Sequence, residues 1–192
     1  MNAEVKKEII NHLIASLIIF VLVEIIWLLG GNFSFLKAGL FLLGLALGTF
    51  LLDTDHLIYW FFLKPELGES KQAKIFWQQR NWRGLFKFLG EDHKNHTSLV
   101  FHHFIFQAVL LTLAFFVLSS TSGIFGKGLV LALSAHLLVD QLVDLRKKPD
   151  HLKTWLFART SFADLPLPSS WLWSYWLFYL VILGGIISVF IR

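Results

Sequence analysis

Residues 36–56 read LKAGLFLLGLALGTFLLDTDH. Leu36 to Leu52 carry no charge except Lys37, and then Asp53, Asp55 and His56 arrive together. With the apolar residues that follow to Leu63, this is enough chain to cross about 30 Å of hydrocarbon as a helix. A charged side chain at the centre of a bilayer costs roughly 2.5–3.5 kcal/mol on insertion scales. Ionisable groups at the end of such a run therefore read as a functional site, and a mixture of carboxylate and imidazole reads as a metal site.

The rest of the chain fits a membrane setting. Its 192 residues are 56% hydrophobic and only 16% charged, with a mean hydropathy of +0.64. That excludes an ordinary soluble domain. There is no cysteine, which removes disulfides, thiolate zinc sites and cysteine nucleophiles from consideration. Lys6 and Lys7 followed by an apolar run have the look of a secretion signal. The run from Ile9 to Leu29 is long enough to span, however, and lacks a small-x-small cleavage site, so it reads as a retained first helix.

Five segments have spanning length: Ile9–Leu29, Leu36–Leu63, Leu99–Leu118, Ile124–Leu145 and Trp171–Ile191. The expected architecture is all-α, a polytopic transmembrane helical bundle forming a single membrane-embedded domain over residues 1–192. Fourteen of the seventeen Lys and Arg residues fall in the N-terminal tail and the two long loops, on one side of a five-span chain. The positive-inside rule then puts the N-terminus and both long loops in the cytoplasm, and the C-terminus outside. Lys71–Gly90 mixes Arg80, Arg83 and Lys87 with Trp77, Trp82, Phe86 and Phe88. This is the composition of an interfacial helix on an anionic leaflet.

Three polar groups recur at one expected depth. They are Asp53, Asp55 and His56 at the end of span two; His93, His96, His102 and His103 around the start of span three; and His136, Asp140 and Asp144 in span four. Asp53 and His56 are three apart and share a helical face. His136, Asp140 and Asp144 form a stripe at four-residue spacing, and His96, His103 and Gln107 form another if the third helix begins early. Gly44 and Gly48, four apart, would let span two approach a neighbour closely. His12 reads as interfacial and His151 as a loop residue. Glu24, near mid-membrane, should pair internally or line the cavity.

Imidazole with carboxylate suits zinc first, with manganese or iron as alternatives. The ligand candidates exceed the needs of one ion, so one to three ions are expected, some side chains acting as outer partners that orient the histidines. No nucleophile elbow, phosphate-binding loop, dinucleotide fingerprint or His-Glu-x-x-His zinc motif is present. The basic residues interleave with aromatics only in interfacial segments, so no nucleic acid is expected as a partner.

Leu51-Leu52-Asp53-Thr54-Asp55-His56, His96-Thr97-Ser98-Leu99 and His136-Leu137-Leu138-Val139-Asp140 resemble the motifs of the YdjM-like inner-membrane proteins. These are classed as predicted membrane-bound metal-dependent hydrolases, and are distantly similar to zinc-dependent phospholipase C and P1-type nuclease. The resemblance covers about residues 40–145. It implies that Asp53, Asp55, His56, His96, His136 and Asp140 serve the metal. The middle motif departs from the family pattern: His93-Lys94-Asn95-His96 is shorter, and Asn95 stands where threonine is usual. His102, His103 and Asp144 are additional.

The expectation is a metal-dependent hydrolase of a phospholipid or other membrane phosphoester at the cytoplasmic leaflet, working through metal-activated water. Asp53, Asp55, His56, His93, His96, His103, His136 and Asp140 are the candidate ligands. Asp55 or Asp144 is the candidate general base, and Arg80, Arg83 and Lys147 are candidates for steadying phosphate. The alternative is a non-enzymatic metal-binding membrane protein: a transporter, a sensor or a metal-stapled structural partner. A transporter needs polar groups continuing across the membrane, and the outer halves of spans two to four are almost purely apolar.

Overall fold

The computed structural model describes residues 3–92, 96–121 and 123–191. These residues form helices and no strand. Helix α1 is Ala3–Leu29 and α2 is Phe35–Leu51. After a turn at 52–53, the chain resumes as α3, Thr54–Ile58, and runs into a π-helical turn, Tyr59–Leu63. A hairpin follows, α4 Gly68–Gln78 and α5 Trp82–Asp92. Next come α6 Phe104–Ser119, α7 Ile124–Lys147, α8 Pro149–Leu156 and α9 Ser169–Ile191.

Four stretches are long and apolar enough to cross a membrane: Val5–Leu29, Phe35–Leu63, Ile124–Lys147 and Ser169–Ser188. Their outward faces carry exposed Leu, Ile, Val and Phe side chains. The expected span Leu99–Leu118 is corrected. The helix is Phe104–Ser119, 16 residues, or about 24 Å at 1.5 Å per residue. Its start is delayed because Asp55 takes the backbone N–H groups of Val100 and Phe101. His103 then caps the helix, its Nδ1 accepting from the Ile105 N–H at 3.2 Å.

Helix α7 is the axis. It packs against α1, α2, α6 and α9, and residues 130–137 are buried on every side. The crossing with α2 is backbone to backbone. A Cβ on Gly44 would overlap the Phe125 carbonyl, one on Gly48 would lie 2.6 Å from the Leu129 oxygen, and one on Gly128 would overlap the Phe41 carbonyl. Small residues on both helices thus permit the close approach expected of Gly44 and Gly48. Around this crossing lies an apolar core of Val23, Phe41, Leu45, Leu118, Leu131 and Ile186.

Two smaller clusters close one end of the bundle. Tyr59, Trp60, Ala73, Leu85 and Leu99 dock the α4–α5 hairpin. Leu145, Leu152, Trp155, Leu156 and Leu172 dock α8 between α7 and α9. In the hairpin, Asn81 caps α5 by accepting from the Gly84 N–H at 2.9 Å. Arg80 makes the tight turn with φ of 54°. Trp77, Trp82 and Phe86 are exposed as an interfacial segment requires, whereas Phe88 turns inward and stacks on Trp60.

Candidate metal centre

The centre is built where α1, α2, α7 and the segment before α6 meet. From α7, His136 and Asp140 sit one turn apart, with His136 Nε2 at 3.1 Å from Asp140 Oδ2. From α1, His12 Nε2 lies 3.1 Å from Asp140 Oδ1. From the segment before α6, His102 Nε2 lies 3.4 Å from Asp140 Oδ2. From the turn after α2, Asp53 Oδ1 lies 3.6 Å from His136 Nε2. Potential ligand atoms of His12, His136 and Asp140 all fall within 4.8 Å of one another.

The far sides of two rings are pinned. His136 Nδ1 donates to the Thr49 carbonyl at 2.8 Å, and Thr49 is itself hydrogen-bonded to Ser16 of α1 at 2.7 Å. His102 Nδ1 faces Asp55 Oδ2 at 3.3 Å. Each acceptor holds the proton on Nδ1 and turns Nε2 toward the centre, the outer arrangement typical of metal-bound histidine.

The donor count then asks for a cation. A carboxylate only accepts hydrogen bonds. Three Nε2 atoms nevertheless converge on Asp140, two of them on rings whose Nδ1 is already committed to an acceptor. Filling every contact with protons would make His102 and His136 both imidazolium ions with ring centroids 6.0 Å apart, an arrangement that two like charges oppose. His12 stacks on His136 at 4.0 Å with planes 12° apart. One divalent ion held by His12, His136 and Asp140, whose ligand atoms lie close enough together to share it, would relieve that repulsion. Nitrogen and carboxylate donors of this kind are ones that zinc, manganese and iron all accept. His102 shows the electrostatic pull of the place. Burial works against its charge, but hydrogen bonds to Asp140 and Asp55 outweigh burial and raise its pKa to about 10.

The other candidates have different positions. Asp55 is fully buried, and both its oxygens are engaged by the Val100 and Phe101 N–H groups and His102. It therefore orients His102 and the strap. His56 and His96 form a neighbouring chain, with 2.8 Å between their Nδ1 atoms and 3.1 Å from His96 Nε2 to Asp92. His96 is packed between Tyr59 and Trp60. With the proton of His96 Nε2 donated to Asp92, its Nδ1 accepts from His56.

His103 is turned away from the centre, and the stripe it was to share with His96 does not exist because no helix joins them. Its Nε2 donates to the Ala158 carbonyl at 3.0 Å while Nδ1 caps α6. His93 lies outside the described residues. Asp144 points to α8, accepting from His151 at 2.6 Å and the Trp155 indole at 2.9 Å. His151 is accordingly a member of α8 that fixes a carboxylate. Gln107 sits beneath the centre, donating to the His102 carbonyl and accepting from Gln141 and Tyr175.

A cavity of about 380 Å³ opens from the centre. Asp53, His56, His96, His102 and Asp140 line its floor, and Lys7, Lys147 and Lys148 are among the side chains around it. Arg80 and Arg83 are exposed on the hairpin and line neither of the two cavities that meet at the centre.

His12 is the residue that sequence reasoning placed wrongly: it is buried, not interfacial. One signal could have found it. His12 and Ser16 are four apart, a short polar stripe on an otherwise apolar helix, and both face inward. Among the described residues, no group forms a hydrogen bond with the Glu24 carboxylate. No protein-family model, curated protein or solved structure matches the chain.

Proposed function

We propose that this protein is a membrane-embedded, metal-dependent hydrolase of phosphoesters, with its site at the cytoplasmic leaflet of a bacterial-type inner membrane. The observation that carries the reading is the convergence of His12, His102, His136 and Asp140 at the floor of a cavity with lysines around it. The YdjM-like motifs point the same way, since Asp53, His136 and Asp140 all belong to them.

A divalent ion held there, zinc foremost, supplies Lewis acidity and water that loses its proton near neutral pH. The chain's own groups do the rest. Lys7, Lys147 and Lys148 attract and hold the phosphate. His56 lines the cavity floor and moves the proton of the attacking water toward His96 and Asp92. Asp55 and Thr49 keep the His102 and His136 rings in place.

Topology follows from the site. α1, α6 and α9 leave the polar end of the bundle, while α2 and α7 return to it. α6 packs along α7 and α9, so it makes a fifth crossing despite its length. The N-terminus, α4, α5 and α8 then share the Lys- and Arg-rich side, with the hairpin and α8 as interfacial helices. The transporter alternative is disfavoured by the apolar core that lies beyond the Ser16–Thr49 pair.

The test is metal content and hydrolysis of bis(p-nitrophenyl) phosphate by the purified protein, alongside His136→Ala. Bound metal with turnover lost in the variant is the expected result. Bound metal without turnover on any phosphoester would leave a metal staple and refute the hydrolase.

A further inference from the structure

Two cavities meet at the metal centre, and they differ in chemistry. The first has three lysines around it. The second, about 390 Å³, runs between α1 and α5 past the end of α2. It reaches the centre itself, for His12 and Asp53 lie in its wall, and it shares Glu8, Asp53 and His56 with the first cavity. Its remaining wall is mostly apolar: Val5, Ile9, Phe50, Leu57, Phe86 and Leu89. Phe50 and Phe86 stay exposed, so the groove is open along the apolar flank of the bundle. α5 abuts α1 at its other end, where a Cβ on Gly90 would lie 3.1 Å from a Val5 methyl.

We infer that this groove is an acyl-chain subsite, and that the substrate is a lipid with an anionic phosphate head. The inference rests on the hydrolase reading for the reaction and names its substrate class; the binding stands apart from the chemistry. A small soluble phosphoester has no use for an apolar wall beside the ligands. An amphiphile matches both cavities at once: its phosphate meets Lys7, Lys147 and Lys148, and one chain lies between Ile9 and Leu89. The size falls within the roughly 300–1,000 Å³ of small-molecule sites. Because the groove opens sideways, the lipid enters from the leaflet without its chains crossing water.

The full-length protein in nanodiscs, containing phosphatidylglycerol with a diazirine in one acyl chain, tests this. Photolabel mapped by mass spectrometry is expected on the peptides bearing Ile9, Phe50 and Leu89, and to fall at least fivefold in Ile9→Trp, which fills the groove. The ratio of long-chain phosphatidylglycerol hydrolysis to bis(p-nitrophenyl) phosphate hydrolysis is expected to fall at least tenfold in the same variant. Label spread evenly over the outward faces of α2, α6 and α9, and indifferent to Ile9→Trp, would overturn the subsite. If the wild type hydrolyses neither substrate, the hydrolase reading fails by itself and the labelling still decides the groove.

Discussion

The two ends of helix α7 solve opposite problems. Toward its start it meets α2 through Gly44, Gly48 and Gly128, and the contact is complete in itself: backbone against backbone, enclosed by Phe41, Leu45 and Leu131. Toward its other end it offers His136 and Asp140 to three further elements. There the contact is incomplete, because imidazole nitrogens and carboxylate oxygens face each other across a space that calls for positive charge. The first end needs only shape, and the second gathers groups that could hold a metal ion. A helix that packs tightly at one end can hold costly polar groups at the other without losing its place.

Breaking the polar end should have the largest effect. Asp140→Asn removes half the anionic charge contributed by Asp53 and Asp140 and breaks up the carboxylate on which three histidines converge. Zinc titration should show loss of the site, with a fall in affinity beyond the ~10–100-fold typical of removing an outer partner. Asp55→Asn tests that outer partnership: zinc should still bind, about 10–100-fold more weakly, as His102 and the strap at Val100 and Phe101 lose their anchor.

Breaking the apolar end should act differently. Gly48→Leu forces α2 off α7 and should cost about 1–3 kcal/mol or more of stability, as overpacked interiors do. Thermal unfolding in detergent should show that loss equally with and without zinc. Asp140→Asn, by contrast, should erase the stabilisation that zinc adds, together with the smaller part that its pairing with His102 gives the metal-free protein. Equal zinc-dependence of both losses would dissolve the contrast between the two ends.

A smaller effect concerns protons. In the metal-free protein His102 titrates near pH 10, above the ordinary histidine value of 6.5. A group with a raised folded pKa stabilises fully below the unfolded value and loses that contribution as pH rises through the folded one. Stability of the metal-free protein should therefore decline between about pH 6.5 and 10. Zinc should flatten the decline, and its binding should release protons measurable by buffer-dependent calorimetry.

The smallest expected effect is that of His103→Ala, which costs a helix cap, about 1 kcal/mol, and leaves zinc stoichiometry unchanged. That prediction also marks where sequence reasoning stopped. Apolar runs, lysine asymmetry and the four-residue spacing of His136 and Asp140 were all legible, because each depends on local pattern. The start of α6 was not, because Asp55, some 45 residues earlier, captures the backbone at Val100 and Phe101. A helix extended back to Leu99 put His96 and His103 on one face and left His102 aside. The structure reverses the roles of His102 and His103. His12 was hidden for a related reason: a lone histidine on an apolar helix says nothing of the carboxylate 128 positions later that it meets.

His12 is consequently the residue on which the account turns, since no motif names it and only the fold brings it to Asp140. The most direct measurement is zinc titration of the metal-free protein and of His12→Ala by calorimetry, with zinc K-edge absorption on the loaded forms. The account predicts one tight site in the wild type with nitrogen and oxygen donors, and a weakened site in His12→Ala that has lost one nitrogen. Unchanged affinity and an unchanged zinc environment in His12→Ala would contradict it.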